Sequence, residues 1–293
     1  MSIIKAHILF PSSSPKSEDR VREAKQAVAQ WGHLLECIYP RAVPPRRPGD
    51  CNDYLAGTDQ QRCREVLDFL LSEKQEVGWF GRGGYGATRI LPALQEALKE
   101  SHLSSPKRWL GYSDISALFA FAKSQNLPIE SIHGPMLCAF HEQPNQADIT
   151  DALAGRPLPI DVDGAHRDGF SGTIWGGNLA VIASLAGTPW LPKLQAEEAF
   201  FFEDIDEAPY RIDRYLTQLS QAGFFDRCRQ VFLGTFTQFQ PESAVVQRTL
   251  ELCRERNLKV LGQLPVGHSE PHSPLFLDRP YKLSQENSQL IPV

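Results

Sequence analysis

Residues 109–123 read WLGYSDISALFAFAK. The apolar run at 109–112 stops at Ser113, and apolar residues then recur at Ile115, Leu118, Phe119 and Ala122. That spacing predicts a strand giving way at once to a helix, with Ser113 or Asp114 as the N-cap. A strand that runs straight into a helix is half of a β-α-β unit, so the flanking sequence decides whether such units repeat.

They do. Upstream, 3–10 reads as a strand ending in a Pro/Ser turn, and 17–32 as an amphipathic helix with Val21, Ala24, Val28 and Trp31 on one face. A strand at 33–40, a proline-rich loop at 40–50, a helix at 59–74 and a strand at 75–81 follow. The glycine stretch GRGGYG (81–86) leads into a helix at 87–100, and a short strand near 129–132 comes after the opening segment. This alternation predicts an α/β fold, a doubly wound parallel sheet with helices on both faces. The pattern breaks between about 142 and 170, where Pro, Gly and Asp turns crowd together. Beyond it, strands are expected at 172–177, 199–205, 230–236, 259–266 and 275–284, with helices at 178–187, 210–223 and 242–257. The expected organisation is an N-terminal domain over 1–145, a linker over 146–170, and a smaller C-terminal α/β domain over 171–293.

The totals set limits. The 293 residues suffice for two domains, and 42% apolar residues for sizeable cores. A net charge of −5 without any basic block argues against nucleic acid or an anionic membrane as partner. Cys37, Cys51, Cys63, Cys138, Cys228 and Cys253 form no C-x-x-C pair and no zinc-finger spacing with His, so reduced thiols and no metal are expected. The first residues lack the basic and apolar regions of a signal peptide, and no stretch reaches the ~18 apolar residues of a membrane helix. The expectation is a cytoplasmic protein.

Ligands of parallel sheets bind beyond the carboxyl ends of strands. Four segments are expected there: GRGGYG (81–86), GYSD (111–114), EDIDEAPYRIDR (203–214) and PVGHSEPHSP (265–274). Gly81, Gly83 and Gly86 match the G-x-G-x-x-G of dinucleotide-binding folds, but Asp114 follows Gly86 by 28 residues rather than about 20. The same glycines could instead form a tight loop, or turn a backbone N–H into a cleft to meet an oxyanion. Ser113 is either an N-cap or a nucleophile at a strand-to-helix turn, although GYSDI is not the G-x-S-x-G of hydrolases.

A nucleophilic serine needs a base. His7 and His33 read as strand positions, His102 and His141 as loop positions, His133 as a loop or packing residue, and His166 as part of the linker. His268 follows a strand and the small Gly267, with His272 as its near rival. Glu203, ending the apolar run AFFF, is the candidate orienting carboxylate, and Glu207 lies four residues beyond it.

Taken together, RGGYG with RIL after it (82–91), GYSDISAL (111–118), HGP (133–135), GGNLAVIASLAGTP (176–189), FEDIDEAPYRIDRYLTQL (202–219) and PVGH with a later PL (265–275) resemble the LD-carboxypeptidases. These form serine peptidase family S66, which includes the microcin-C immunity peptidases. The resemblance covers about residues 3 to 280. It implies Ser113 as nucleophile, His268 as general base and Glu203 as the acid orienting it, with Glu207 the competing assignment. It implies an oxyanion hole from the N–H groups of Asp114 and Gly84. It also implies a C-terminal domain of swivelling type, a homodimer, no cofactor, and hydrolysis of the L,D-amide before a C-terminal D-alanine in cytoplasmic murein tetrapeptides. A microcin-C-type cleavage of an aminoacyl-nucleotide amide is the alternative within the family.

Overall fold

Strands that alternate with helices must pair in parallel, and the first half of the chain does so. In the computed structural model β1 (Ile4–Leu9), β2 (Leu35–Ile38), β3 (Val77–Phe80), β4 (Lys107–Gly111) and β5 (Ile129–His133) lie side by side, all parallel, in the order β2-β1-β3-β4-β5. The order reverses between β1 and β3, the switch point of a doubly wound sheet. The structure describes residues 3–31, 35–40, 53–74, 76–99, 101, 103, 105–139, 146–164, 166, 169–237, 239, 241–269, 272–284 and 286–293. The readings of His33, His102, His141, Cys51 and the proline-rich loop beyond Pro40 lie outside the described residues.

Local chemistry sets the helices of this half. Ser17 caps α1 (Glu18–Ala29), which buries Val21, Ala24 and Val28. Thr58 and Gln61 close a capping box on α2 (Asp59–Leu71). Gly86 precedes α3 (Ala87–Leu98), and a single 3₁₀ turn (Ser113–Ile115) precedes α4 (Ser116–Ser124). Every residue of β3 is buried, as a strand covered on both faces requires.

The second sheet is mixed. β7 (Ser171–Asn178), β8 (Ala199–Ile205), β9 (Gln230–Thr237) and β10 (Lys259–Gln263) are parallel, joined by α6 (Leu179–Ser184), α7 (Pro209–Gln221) and α8 (Glu242–Glu255). The antiparallel strands β12 (Pro280–Ser284), β13 (Gln289–Pro292) and β6 (Ile160–Asp161) extend it beyond β7. The molecule is thus the α/β fold that the sequence predicts. Within the expected linker, α5 (Gln146–Leu153) packs on β4 while β6 joins the second sheet.

One strand expectation fails. Residues 275–284 were expected to form one strand, but they divide. β11 (Leu275–Phe276) pairs antiparallel with β5 in the first sheet, and β12 belongs to the second. Asp278, at φ 61°, turns the chain between them, and Pro280 opens β12. Asp-Arg-Pro is turn chemistry inside an otherwise strand-like composition, and the composition hid it.

The two sheets meet along α4 and α6. Ser116 Oγ accepts a hydrogen bond from Asn178 N–H at 2.9 Å, and Lys123 pairs with Glu198 at 2.7 Å and also with Asp278.

Candidate active site

Ser113 stands where β4 ends. Tyr112 is still extended, at φ −157°, and Ser113 then turns to φ 62°. Tyr112 C=O accepts from Ile115 N–H at 3.2 Å, which closes the turn into α4. A left-handed conformation costs a residue with a Cβ roughly 1–2 kcal/mol, and it lifts the side chain off the sheet as a nucleophile elbow does.

The glycine loop lies over this turn. A Cβ on Gly83 would sit 2.9 Å from Ser113 Cβ, 3.2 Å from its Oγ and 3.3 Å from Asp114 N, so only glycine allows the approach. The loop hangs from the segment after β1. Ser13 N–H donates to Gly83 C=O at 3.1 Å, and Ser13 Oγ accepts from Tyr85 N–H at 3.1 Å. Gly84, at φ 96°, completes the curve. The dinucleotide reading has no support in these contacts, since the space beside each glycine is taken by the protein itself. Gly81 abuts the Phe10 ring, Gly83 abuts Ser113, and Gly86 abuts Leu55 and Arg62. Asp114 is buried and its carboxylate accepts from Ala87 N–H at 2.8 Å, tying α3 to the same turn. Burial raises its pKa, against the opposing pull of that hydrogen bond.

Glu203 and His268 arrive from the second sheet. Glu203 lies near the end of β8 with its carboxylate wholly buried, and His268 follows β10 with its side chain 11% exposed. Their Oε2 and Nδ1 atoms are 2.6 Å apart. Gly267, at φ 139°, permits this approach, for a Cβ there would lie 3.0 Å from Glu203 Oε2 and 2.4 Å from Thr235 Oγ1. Burial alone would raise the pKa of Glu203, but His268 and His133 reverse the sign and hold it well below the usual carboxylate range. Burial likewise favours neutral His268, yet the Glu203 carboxylate outweighs it and raises the imidazole pKa above its ordinary value. Asp204 is pushed up to about 7 by burial and by Glu203, despite donors from Ile205 N, Asn178 Nδ2 and Ala180 N.

Tyr112, adjacent in sequence to Ser113, packs its ring on His268 at a centroid distance of 4.7 Å. The structure thus joins Glu203 to His268 by a hydrogen bond and sets Tyr112, the chain neighbour of Ser113, against the His268 ring. Among the described residues no hydrogen bond joins Ser113 to His268, a contact that in free enzymes often tightens only with substrate. Glu207 stands apart. Its carboxylate bonds Arg211 at 3.3 Å and Tyr215 Oη at 3.1 Å, both on α7.

Two further histidines belong to the cluster: His272, the near rival of His268 in the sequence, and His133, which the sequence reading does not place there. His133, the last residue of β5, is fully buried with Nε2 3.6 Å from Glu203 Oε1. His272 Nε2 lies 3.4 Å from His133 Nδ1, and Tyr112 packs against all three imidazoles. A strand-end position, the signal that singled out Glu203 and His268, applied equally to His133. Among the described residues no group of three or more His, Cys, Asp or Glu is arranged to hold a metal ion.

This fold has its counterpart in a family of peptidases. Residues 7–134 match the LD-carboxypeptidase N-terminal domain and residues 171–283 the LD-carboxypeptidase C-terminal domain, and the chain belongs to that family. The murein tetrapeptide carboxypeptidase of Pseudomonas aeruginosa is 33% identical over 198 residues, 63% of each chain. The microcin C7 self-immunity protein of Escherichia coli is 22% identical over 304 residues, covering 89% of this chain and 85% of that one. The crystal structure of muramoyltetrapeptide carboxypeptidase from Oxalobacter formigenes superposes with a TM-score of 0.77 at 24% identity, over 98% of this chain and 97% of that one, and so shares the fold.

Proposed function

We propose that this peptidase is a serine LD-carboxypeptidase that removes the terminal D-alanine from murein tetrapeptides. The observation that carries the reading is the buried Glu203–His268 hydrogen bond, 2.6 Å long, held beside the strained Ser113 turn by Tyr112. In the proposed mechanism His268 Nε2 takes the Ser113 proton as Oγ attacks the carbonyl carbon of the L,D-amide. Glu203 fixes the tautomer by accepting from Nδ1–H. The N–H groups of Gly84 and Asp114 receive the oxyanion, and the N-terminus of α4 adds its partial positive charge. The imidazolium then protonates the departing amine of D-alanine. Water, deprotonated by His268, cleaves the acyl-enzyme and restores Ser113.

The resemblance to this family also implies a cytoplasmic homodimer acting in peptidoglycan recycling without a cofactor. Among the described residues no helix is long and apolar enough to cross a membrane. The likeness to the microcin C7 self-immunity protein favours one second reading, cleavage of an aminoacyl-nucleotide amide by the same three residues. Mass spectrometry of products from a murein tetrapeptide and from an aminoacyl sulfamoyl nucleoside, given to one preparation, tests both. Loss of one D-alanine from the tetrapeptide is expected. Cleavage of the nucleoside alone would transfer the assignment to the second reading.

A further inference from the structure

The two oxygens of Glu203 have unequal company. Oε2 is bonded to His268, while Oε1 is buried and has no hydrogen-bond partner. His133 Nε2 is buried and unpartnered too, and the two orphans face each other at 3.6 Å. An unmet buried carboxylate oxygen and an unmet buried ring nitrogen are each costly. The gap exceeds a hydrogen bond by a few tenths of an ångström, so a small closure satisfies both. The other side of the His133 ring sets the direction. His272 Nε2 lies 3.4 Å from His133 Nδ1. If His272 donates there, Nδ1 of His133 is the acceptor and its N–H is on Nε2, aimed at Glu203.

The origin of these residues gives the contact a purpose. His133 belongs to the first sheet, where it pairs with Gly111 across β4 and β5, two residues short of Ser113. Glu203 and His268 belong to the second. The T-shaped Phe201 ring, 5.2 Å from the His133 ring, and β11 on the open side of β5 hold the imidazole in place. His133 is therefore a side chain rigidly registered to the nucleophile that reaches the carboxylate orienting the base.

We propose that His133 is a positioning residue: with its tautomer set by His272, it donates Nε2–H to Glu203 Oε1 and locks the Glu203–His268 pair onto the sheet that carries Ser113. This rests on the triad proposed above and deepens it. The inferred donor also divides the carboxylate charge between two imidazoles. The groups that face His268 are Glu203 and Asp204 from β8, His272 from its own loop, and Tyr112 from the end of β4, with His133 from β5 on the far side of Glu203. Burial and the neighbouring His133 hold His272 well below the ordinary imidazole pKa, which keeps it a neutral donor.

The test compares wild type, His133→Gln and His133→Phe. Glutamine keeps a donor near the place of Nε2, and phenylalanine keeps the ring and removes it. The readout is the rate of Ser113 modification by a small fluorophosphonate across the pH range in which an imidazole titrates. His133→Phe should be slower by about 10- to 100-fold, the scale of a misplaced catalytic group. Its acid limb should move to higher pH, because an undivided carboxylate charge favours the His268 imidazolium. His133→Gln should recover most of the rate and the wild-type limb. A folded His133→Phe with wild-type rate and limb overturns the inference. Equal slowing of both variants with the limb unmoved also overturns it, since that is a packing effect. Should His133→Phe fail to fold, His272→Phe removes the donor that sets the tautomer. It should shift the limb the same way, and an unmoved limb counts against the proposal. A wild type that is labelled at Ser113 but releases no D-alanine speaks against the substrate alone. A wild type that is not labelled overturns the triad and this inference together.

Discussion

Ser116 Oγ receives the N–H of Asn178 at 2.9 Å, in a fully buried contact that crosses from the first sheet's helix to the end of β7. Asn178 in turn donates from Nδ2 to Asp204 at 2.9 Å, the residue next to Glu203. The seam that joins the halves thus runs into the strand end that bears the carboxylate. Ser116→Ala would leave Asn178 N–H buried without its partner, a loss of about 1–3 kcal/mol. Denaturant unfolding should show that loss, accompanied by lower turnover. Unchanged stability would mean that water replaces the hydroxyl.

The strain at Ser113 predicts a trade between stability and activity. Ser113→Gly removes both the hydroxyl and the Cβ that makes φ 62° unfavourable. Turnover should fall by about 10⁴–10⁶-fold, as for loss of a triad serine. Stability should hold or rise by up to about 1 kcal/mol, since relief of a left-handed residue exceeds the entropy glycine costs. A variant both inactive and clearly destabilised would argue for a structural serine.

Glu203 and Glu207 should separate sharply. Glu203→Gln replaces the carboxylate with an amide whose NH2 can face Nδ1 and impose the other tautomer on His268, and about 10⁴-fold in kcat is expected by analogy with other triads. Glu207→Gln disturbs only contacts to Arg211 and Tyr215 on α7, so little change in kcat is expected. Side-by-side kinetics decide the point, and a larger effect at Glu207 would exchange their roles.

The pH dependence follows from the sign of the His268 shift. The base works only as neutral imidazole, and the Glu203 carboxylate raises its pKa against burial. The acid limb of kcat/KM should therefore have its midpoint above the ordinary imidazole value of about 6.5. In Glu203→Gln the carboxylate is gone and burial remains, so the residual activity should show its limb at lower pH. A limb that ignores this substitution would exclude His268 as the titrating base.

Gly83→Ala tests the loop. Its Cβ would stand 2.9 Å from Ser113 Cβ and 3.3 Å from Asp114 N, displacing the loop from the serine. Loss of one oxyanion donor costs about 10²–10³ in kcat, and a fall of that order is expected with KM less affected. Full activity in Gly83→Ala would place the oxyanion elsewhere.

The sheets were legible because their elements are written in the clearest local code. The run AFFFEDI was expected at 199–205, and β8 occupies the same residues with every position through Asp204 buried. Ser113, Glu203 and His268 stood out because each follows an apolar run that could only be a buried strand. His133 also ends a strand, yet its sequence context, Ile-His-Gly-Pro, reads equally as a loop or packing position. Its place depends on which strand of the other half approaches β5, and periodicity within one segment carries no such information. The division of 275–284 escaped for a related reason. Two residues suffice for β11 because β5 supplies the pairing, and so short a strand leaves no period to detect.

That brief visit of Leu275–Phe276 to the first sheet has a consequence for how the molecule is made. The chain passes from β10 in one sheet to β11 in the other and back to β12, like a lace drawn through two halves. During synthesis the amino-terminal half emerges with the flank of β5 bare, and an uncovered strand flank invites pairing with other chains. It stays bare until residue 276 is made, more than 140 residues after His133. Leu275, the backbone partner of His133, thus follows His268 by only seven residues. A nascent chain stalled before residue 268 carries its serine but neither the base nor the closed flank, so the second half of the chain delivers both to the nucleophile almost together.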